Sequence, residues 1–136
     1  MGEWTPAMTD CASSIGSRFD GTYPGSTYVG SCTGLTGSAS TFSSGYKTFL
    51  RQTWEAQVIA FERGGQGWVM WTWKMESADE WSYQAGLANG WIPQDPTNFK
   101  YPNICGSSST MPMRHSLMIE VTTFSFWCIL FLVTYY

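Results

Sequence analysis

Charge is scarce in this 136-residue chain: Asp, Glu, Lys and Arg supply only 12% of it, against 17% aromatic residues, and the formal net charge is −3. With no basic patch, the electrostatic footprint that nucleic-acid binding needs is missing. Histidine is limited to His115, and no His/Cys spacing matches a zinc site, so no metal is expected. No glycine-rich loop leads into a helix in the phosphate-binding form, and no cofactor is implied. The chain does not open with a secretory leader. Met1-Gly2 is not a myristoylation start, because Pro6 stands where that motif needs Ser or Thr. What remains for chemistry is carboxylates, and what remains for recognition is aromatic surface.

The aromatics are concentrated. Gly67-Trp68-Val69-Met70-Trp71-Thr72-Trp73-Lys74 places three tryptophans within six residues, after a Gly-Gly-Gln-Gly turn and before the polar cluster Glu76 to Glu80. A short, aromatic, turn-bounded run reads as a buried strand over about 67–73. Tryptophan in such a strand usually fills a core. An indole face also matches the apolar C–H face of a pyranose, which keeps a sugar platform open.

Around this run the chain is readable. Residues 1–4 look like the end of a strand, and residues 10–42, rich in Gly, Ser, Thr and Tyr, like a long loop excursion. The clearest helix covers 44–63, where Tyr46, Phe49, Leu50, Trp54, Val58 and Phe61 recur at three- and four-residue steps. Ser43 or Ser44 can cap its start and Gly64-Gly65 can end it. A second, short helix is expected over about 78–88, with Ser77 and Glu80 spaced as a capping box. Glu76, Asp79 and Glu80 can meet sugar hydroxyls, but capping and solvation of that helix is the simpler reading. Residues 89–106 are irregular and carry prolines. Helix, glycine turn, strand, helix is the rhythm of βα units.

Taken in order, Gly2-Glu3-Trp4-Thr5, Thr9-Asp10-Cys11, Phe42 to Arg51, Trp54-Glu55-Ala56-Gln57, the tryptophan strand, Glu76 to Gln84, Asn89 to Pro96 and Tyr101 to Gly106 resemble the C-terminal third of the secreted fungal exo-β-1,3-glucanases of glycoside hydrolase family 5. The resemblance covers residues 2–106 and rests on no single motif. It implies an α/β fold: part of a (β/α)8 barrel, with only the last one to two βα units present. Such a barrel needs about 250 residues. The Glu3 strand would be the seventh and the tryptophan strand the eighth. A barrel cannot close on these strands alone, because each would leave an edge unpaired. The expectation is therefore a truncated product or partial gene model. Residues 1–106 would be the C-terminal part of a glycosidase barrel, and residues 107–136 a tail foreign to the family.

The resemblance also assigns roles. Retaining glycosidases use two carboxyl groups about 5 Å apart, a nucleophile and an acid/base. The nucleophile would be Glu3, at the C-terminal end of a barrel strand. The family's acid/base glutamate stands in an Asn-Glu pair, and this chain has none. Trp71 matches the residue lining the subsite of the sugar under attack. Trp73 is expected to pack beneath the site, and Trp54, Trp68, Trp81 and Trp91 to fill the interior.

The chain has four cysteines, in keeping with an oxidising compartment. The family pattern joins Cys11 to Cys32. It leaves Cys105 free, because its family partner precedes the Glu3 strand. Pairing of Cys105 with Cys11 or Cys32 remains open from the residues alone, as does the pairing of Cys105 and Cys128. The segment from Cys11 to Asp20 is shorter than the family's.

Residues 121–136 contain no charge but fall short of the roughly twenty residues that span a bilayer. Gly106-Ser107-Ser108-Ser109, a spacer and this apolar end faintly resemble a GPI-anchor signal. Translated non-coding sequence or a frame error is the preferred reading. A membrane contact follows only if residues 117–136 are a real anchor.

Two functions are consistent with all this. One is a glycosidase by descent, releasing glucose from the ends of β-1,3-glucan by retaining double displacement, outside the cell or at the wall, present here as a truncated and inactive piece. The other is a non-catalytic glucan-binding or wall-associated remnant that uses Trp71 and its neighbours.

Overall fold

The computed structural model of the chain describes residues 3–65 and 67–106. Two short strands and two helices, β1 (Glu3–Trp4), α1 (Ser44–Gly64), β2 (Val69–Met70) and α2 (Tyr83–Asn89), carry the regular structure, with 3-10 turns at Ala39–Thr41 and Asp79–Trp81. β1 and β2 pair in parallel, Glu3 opposite Val69 and Trp4 opposite Met70. Parallel strands need a long crossover, and α1 with the loop before it supplies one.

α1 forms where the apolar stripe runs. The Ser43 side chain accepts from the Tyr46 backbone N–H, and Gly65 closes the far end by donating its N–H to the Phe61 carbonyl. Leu50, Trp54 and Val58 are fully or almost fully buried, and Tyr46 and Phe61 pack at the margin of the same core. Trp4 reaches that core from β1. Its ring stacks on Phe61 at 6.0 Å and leans on Trp68 at 5.6 Å, and Trp68 meets Trp54 edge-on at 6.1 Å. Trp91 and Ile92 complete the cluster from the segment after α2.

Two expectations are corrected. The strand ends at Met70 instead of reaching residue 73. The Trp71 N–H still bonds to the Trp4 carbonyl at 2.9 Å, but Thr72 turns away and exchanges two backbone bonds with Trp81 and Tyr83. The Trp71–Thr72 peptide is cis. The second helix starts at Tyr83, not 78, and Ser82 caps it by accepting from Ala85 N–H. Ser77 and Glu80 form no capping box: the Asp79–Trp81 turn has no side-chain cap, and Glu80 is buried. Gly90 then ends α2 in the left-handed region, at φ 83°, where glycine is favoured.

A carboxylate fastens the C-terminal segment to α1. Glu55 is fully buried, accepts the backbone N–H groups of Lys100 at 2.8 Å and Tyr101 at 2.5 Å, and pairs with Arg51 one turn earlier. Arg51 also donates to the Asn98 carbonyl at 2.6 Å.

The expected tail 107–136, with His115, Cys128 and the anchor-like stretch, lies outside the described residues.

Candidate functional site

Strand alternation decides which side chains meet. In a parallel pair, residues in register share a face and successive residues alternate. Trp4 and Met70 therefore face α1, where Trp4 is buried and Met70 packs against the core. Glu3 and Val69 face away from it, and both are exposed. Trp71 follows Met70 and is tied by its N–H to the Trp4 carbonyl, so it falls on the Glu3 side at the C-terminal end of the pair. Its indole is 50% exposed. The two residues singled out from sequence, Glu3 and Trp71, thus share one face and one end of the sheet.

The chain continues past Trp71 in a fixed path. Thr72 N–H donates to the Trp81 carbonyl at 3.0 Å, Tyr83 N–H to Thr72 at 2.9 Å, and Gln84 N–H to Trp73 at 2.9 Å. The Trp73 ring stacks on Tyr83, centroids 5.8 Å apart and planes 22° apart. It does not pack beneath the site: 62% of Trp73 is exposed. Trp54 and Trp91 are buried as expected, and Trp68 and Trp81 are half-buried.

The loop after β1 leaves from the same end, because the strands are parallel. It is built around Asp10, whose carboxylate accepts the Ser17 hydroxyl at 2.5 Å and the N–H of Arg18 at 2.8 Å. The Ser17 hydroxyl bond, above all, holds the Asp10 carboxyl below its usual range. Cys11 and Cys32 are joined by a disulfide, as the family pattern implies. Cys105 is not free as expected but disulfide-bonded, with a partner outside the described residues; the chain supplies a second cysteine pair beyond Cys11 and Cys32.

The acidic cluster past β2 serves structure. Asp79 accepts the Ala39 N–H at 2.8 Å across 40 residues and donates its own N–H to the Gly37 carbonyl, which pins the end of the loop. Glu80 lies against the same segment, taking hydrogen bonds from Thr36 and Gly37 while burial pushes its carboxyl above the usual range. Its Oε2 has no partner among the described residues. Burial also raises the Tyr46 hydroxyl, with the Glu80 charge adding to it. Glu76 is exposed, 3.7 Å from Lys74. Sequence reasoning missed the buried Glu55 and Glu80, whose partners lie tens of residues away. Among the described residues, no group of three or more His, Cys, Asp or Glu could hold a metal ion.

No family model matches the chain. Curated proteins do. It is 45% identical over 111 residues to the "Probable glucan 1,3-beta-glucosidase A" of Aspergillus niger, an alignment covering 77% of this chain and 26% of that protein. It is 43% identical over 111 residues to the "Glucan 1,3-beta-glucosidase" of Candida oleophila, covering 78% and 26%. It is 42% identical over 119 residues to the protein of that name from Blumeria graminis, covering 82% and 28%. The chain spans about a quarter of the length of the relatives it matches.

Proposed function

This chain is related to the fungal glucan 1,3-beta-glucosidases over about three quarters of its length, and on that ground we propose that it carries the nucleophile end of a β-1,3-glucan glycosidase site. The observation that supports the reading is the shared face: Glu3 and the exposed Trp71 stand together at the C-terminal end of a parallel strand pair. Catalytic groups of (β/α)8 barrels occupy that end. β1 and β2 would be neighbouring barrel strands, with α1 on the outer surface and the Glu3 face turned inward.

Within such a site Glu3 attacks the anomeric carbon of a terminal glucosyl unit, forming a glycosyl-enzyme that water then hydrolyses. The acid that protonates the leaving oxygen, and later activates the water, is a second carboxyl group that these residues do not supply. Trp71 offers its indole to the ring at the cleavage point. Positioning and general acid assistance are both incomplete in the chain by itself, and each is worth orders of magnitude in rate. Hydrolysis by the isolated chain is therefore not expected. The Cys11–Cys32 disulfide favours an extracellular or wall location.

The test joins residues 3–106 to the upstream three quarters of the Aspergillus niger relative. The fusion should hydrolyse laminarin with retention of configuration, and Glu3→Gln should abolish turnover. A folded fusion whose turnover ignores Glu3→Gln would sink the assignment.

A further inference from the structure

We propose that Trp73 is a second saccharide platform, holding the glucosyl unit next to the one at Trp71, with Tyr83 as its backing. The inference deepens the glucan reading and rests on it.

Trp73 has a large apolar side chain and is outside the core cluster. More than half of it, 62%, is open, a larger fraction than for Trp71. An exposed indole normally moves, but this one is held. One ring face lies on Tyr83, 5.8 Å between centroids and 22° between planes. Its backbone is fixed on both sides, by the Thr72–Trp81 and Thr72–Tyr83 bonds and by the Gln84 N–H on its own carbonyl. The Ser82 hydroxyl lies 3.4 Å from that carbonyl as well. Tyr83 in turn packs against the core. The result is a supported aromatic plane with its other face free, the arrangement that meets the C–H face of a sugar ring at low entropic cost.

Position selects the ligand. Trp73 is two residues beyond Trp71, so their Cα atoms lie within about 7 Å of each other. Trp71 sits at the end of β2 on the Glu3 face, and Trp73 continues outward from that end. Two indoles so placed suit successive units of one β-1,3-linked gluco-oligosaccharide. A single sugar would use Trp71 alone.

The experiment titrates the full 136-residue chain, with 15N-labelled indoles, against glucose, laminaribiose and laminaritriose. The Trp71 and Trp73 indole signals should both shift with the longer sugars, and Trp73 should respond little to glucose. Trp73→Ala should weaken laminaritriose binding about tenfold and erase its advantage over glucose. Trp73→Phe, which keeps a ring on Tyr83, should recover part of the loss. Shifts confined to Trp71, or an affinity indifferent to Trp73→Ala, would overturn the platform and leave the glucan reading standing. No response of either indole to any of the sugars would overturn both.

Discussion

The Trp71 N–H donates to the Trp4 carbonyl at 2.9 Å, and this one bond places Trp71 beside Glu3. Trp4 turns its ring into the core, so its neighbour Glu3 must turn outward. Met70, in register with Trp4, turns inward too, and Trp71 after it turns outward. A slip of one residue in this pairing would bury Glu3 and Trp71 and expose Trp4 and Met70. The cost of exposing Trp4, with its contacts to Phe61 and Trp68, fixes the register and thereby the site.

From this follows a contrast between two tryptophans in the fusion enzyme. Trp71→Ala should cut turnover at least tenfold with little change in stability, since half of its surface is already in water and an indole on the reacting ring acts most strongly in the flattened transition state. Trp91 is 1% exposed. Trp91→Ala should cost roughly 3–5 kcal/mol of stability and leave turnover per folded molecule close to normal. Thermal unfolding together with kinetics at matched folded fraction checks both; equal losses of turnover would show that Trp71 is not the platform.

The helix and the core were legible in the sequence because they depend on local period. The stripe from Tyr46 to Phe61 repeats at helical spacing, and Ser43 and Gly65 bound it where capping chemistry requires. The start of the second helix was not legible, because its outcome is decided at long range. Asp79 looks like a first-turn helix acid, yet it accepts the N–H of Ala39, 40 residues earlier, and the helix begins only at Tyr83. The tryptophan run reads as one strand, but only two of its residues find a ladder partner. Thr72 then pairs with Trp81 and Tyr83, which frees Trp73 from the sheet. Glu3 and Trp71 as a pair were reached through resemblance; no periodicity in the chain singles out a two-residue strand.

Glu55 should be the most sensitive carboxylate for stability. It is fully buried and serves Arg51, Lys100 and Tyr101 together. Glu55→Ala leaves two backbone donors and a guanidinium without their acceptor, a loss of roughly 3–5 kcal/mol for a broken buried pair. Hydrogen exchange at the Lys100 and Tyr101 amides should accelerate in step with the global loss. Retained protection of those two amides in a folded Glu55→Ala chain would contradict the fastening role.

Removing the Cys11–Cys32 disulfide should loosen the loop after β1. The bridge spans 21 residues, for which chain-entropy reasoning gives about 3 kcal/mol. The double variant Cys11→Ser, Cys32→Ser should lower the midpoint of denaturant unfolding and expose residues 12–31 to proteolysis first. Cleavage beginning in α1 instead would mean that the loop is not the region the bridge secures.

Glu80 sets a dependence on pH with the opposite sign to that of most carboxylates. Burial raises its folded pKa above the unfolded value, and the nearby Asp79 adds to the effect, while Thr36 and Gly37 work against both. A carboxyl raised in this way contributes stability below its unfolded pKa, where it is protonated in both states, and loses that contribution as pH rises through the folded value. Above that point the chain carries a buried charge whose Oε2 has no partner among the described residues. Glu80→Gln keeps an acceptor for Thr36 and Gly37 and removes the charge. The variant should therefore match the parent in melting temperature near pH 4 and exceed it at pH 7–8, with the gap opening as Glu80 ionises. Tyr46, whose hydroxyl donates to the Leu35 carbonyl at 2.7 Å, should also ionise more readily in the variant, because the Glu80 charge no longer opposes it. A melting temperature for Glu80→Gln that falls below the parent's by the same amount at every pH would show that the ionised carboxylate is not a cost to this fold.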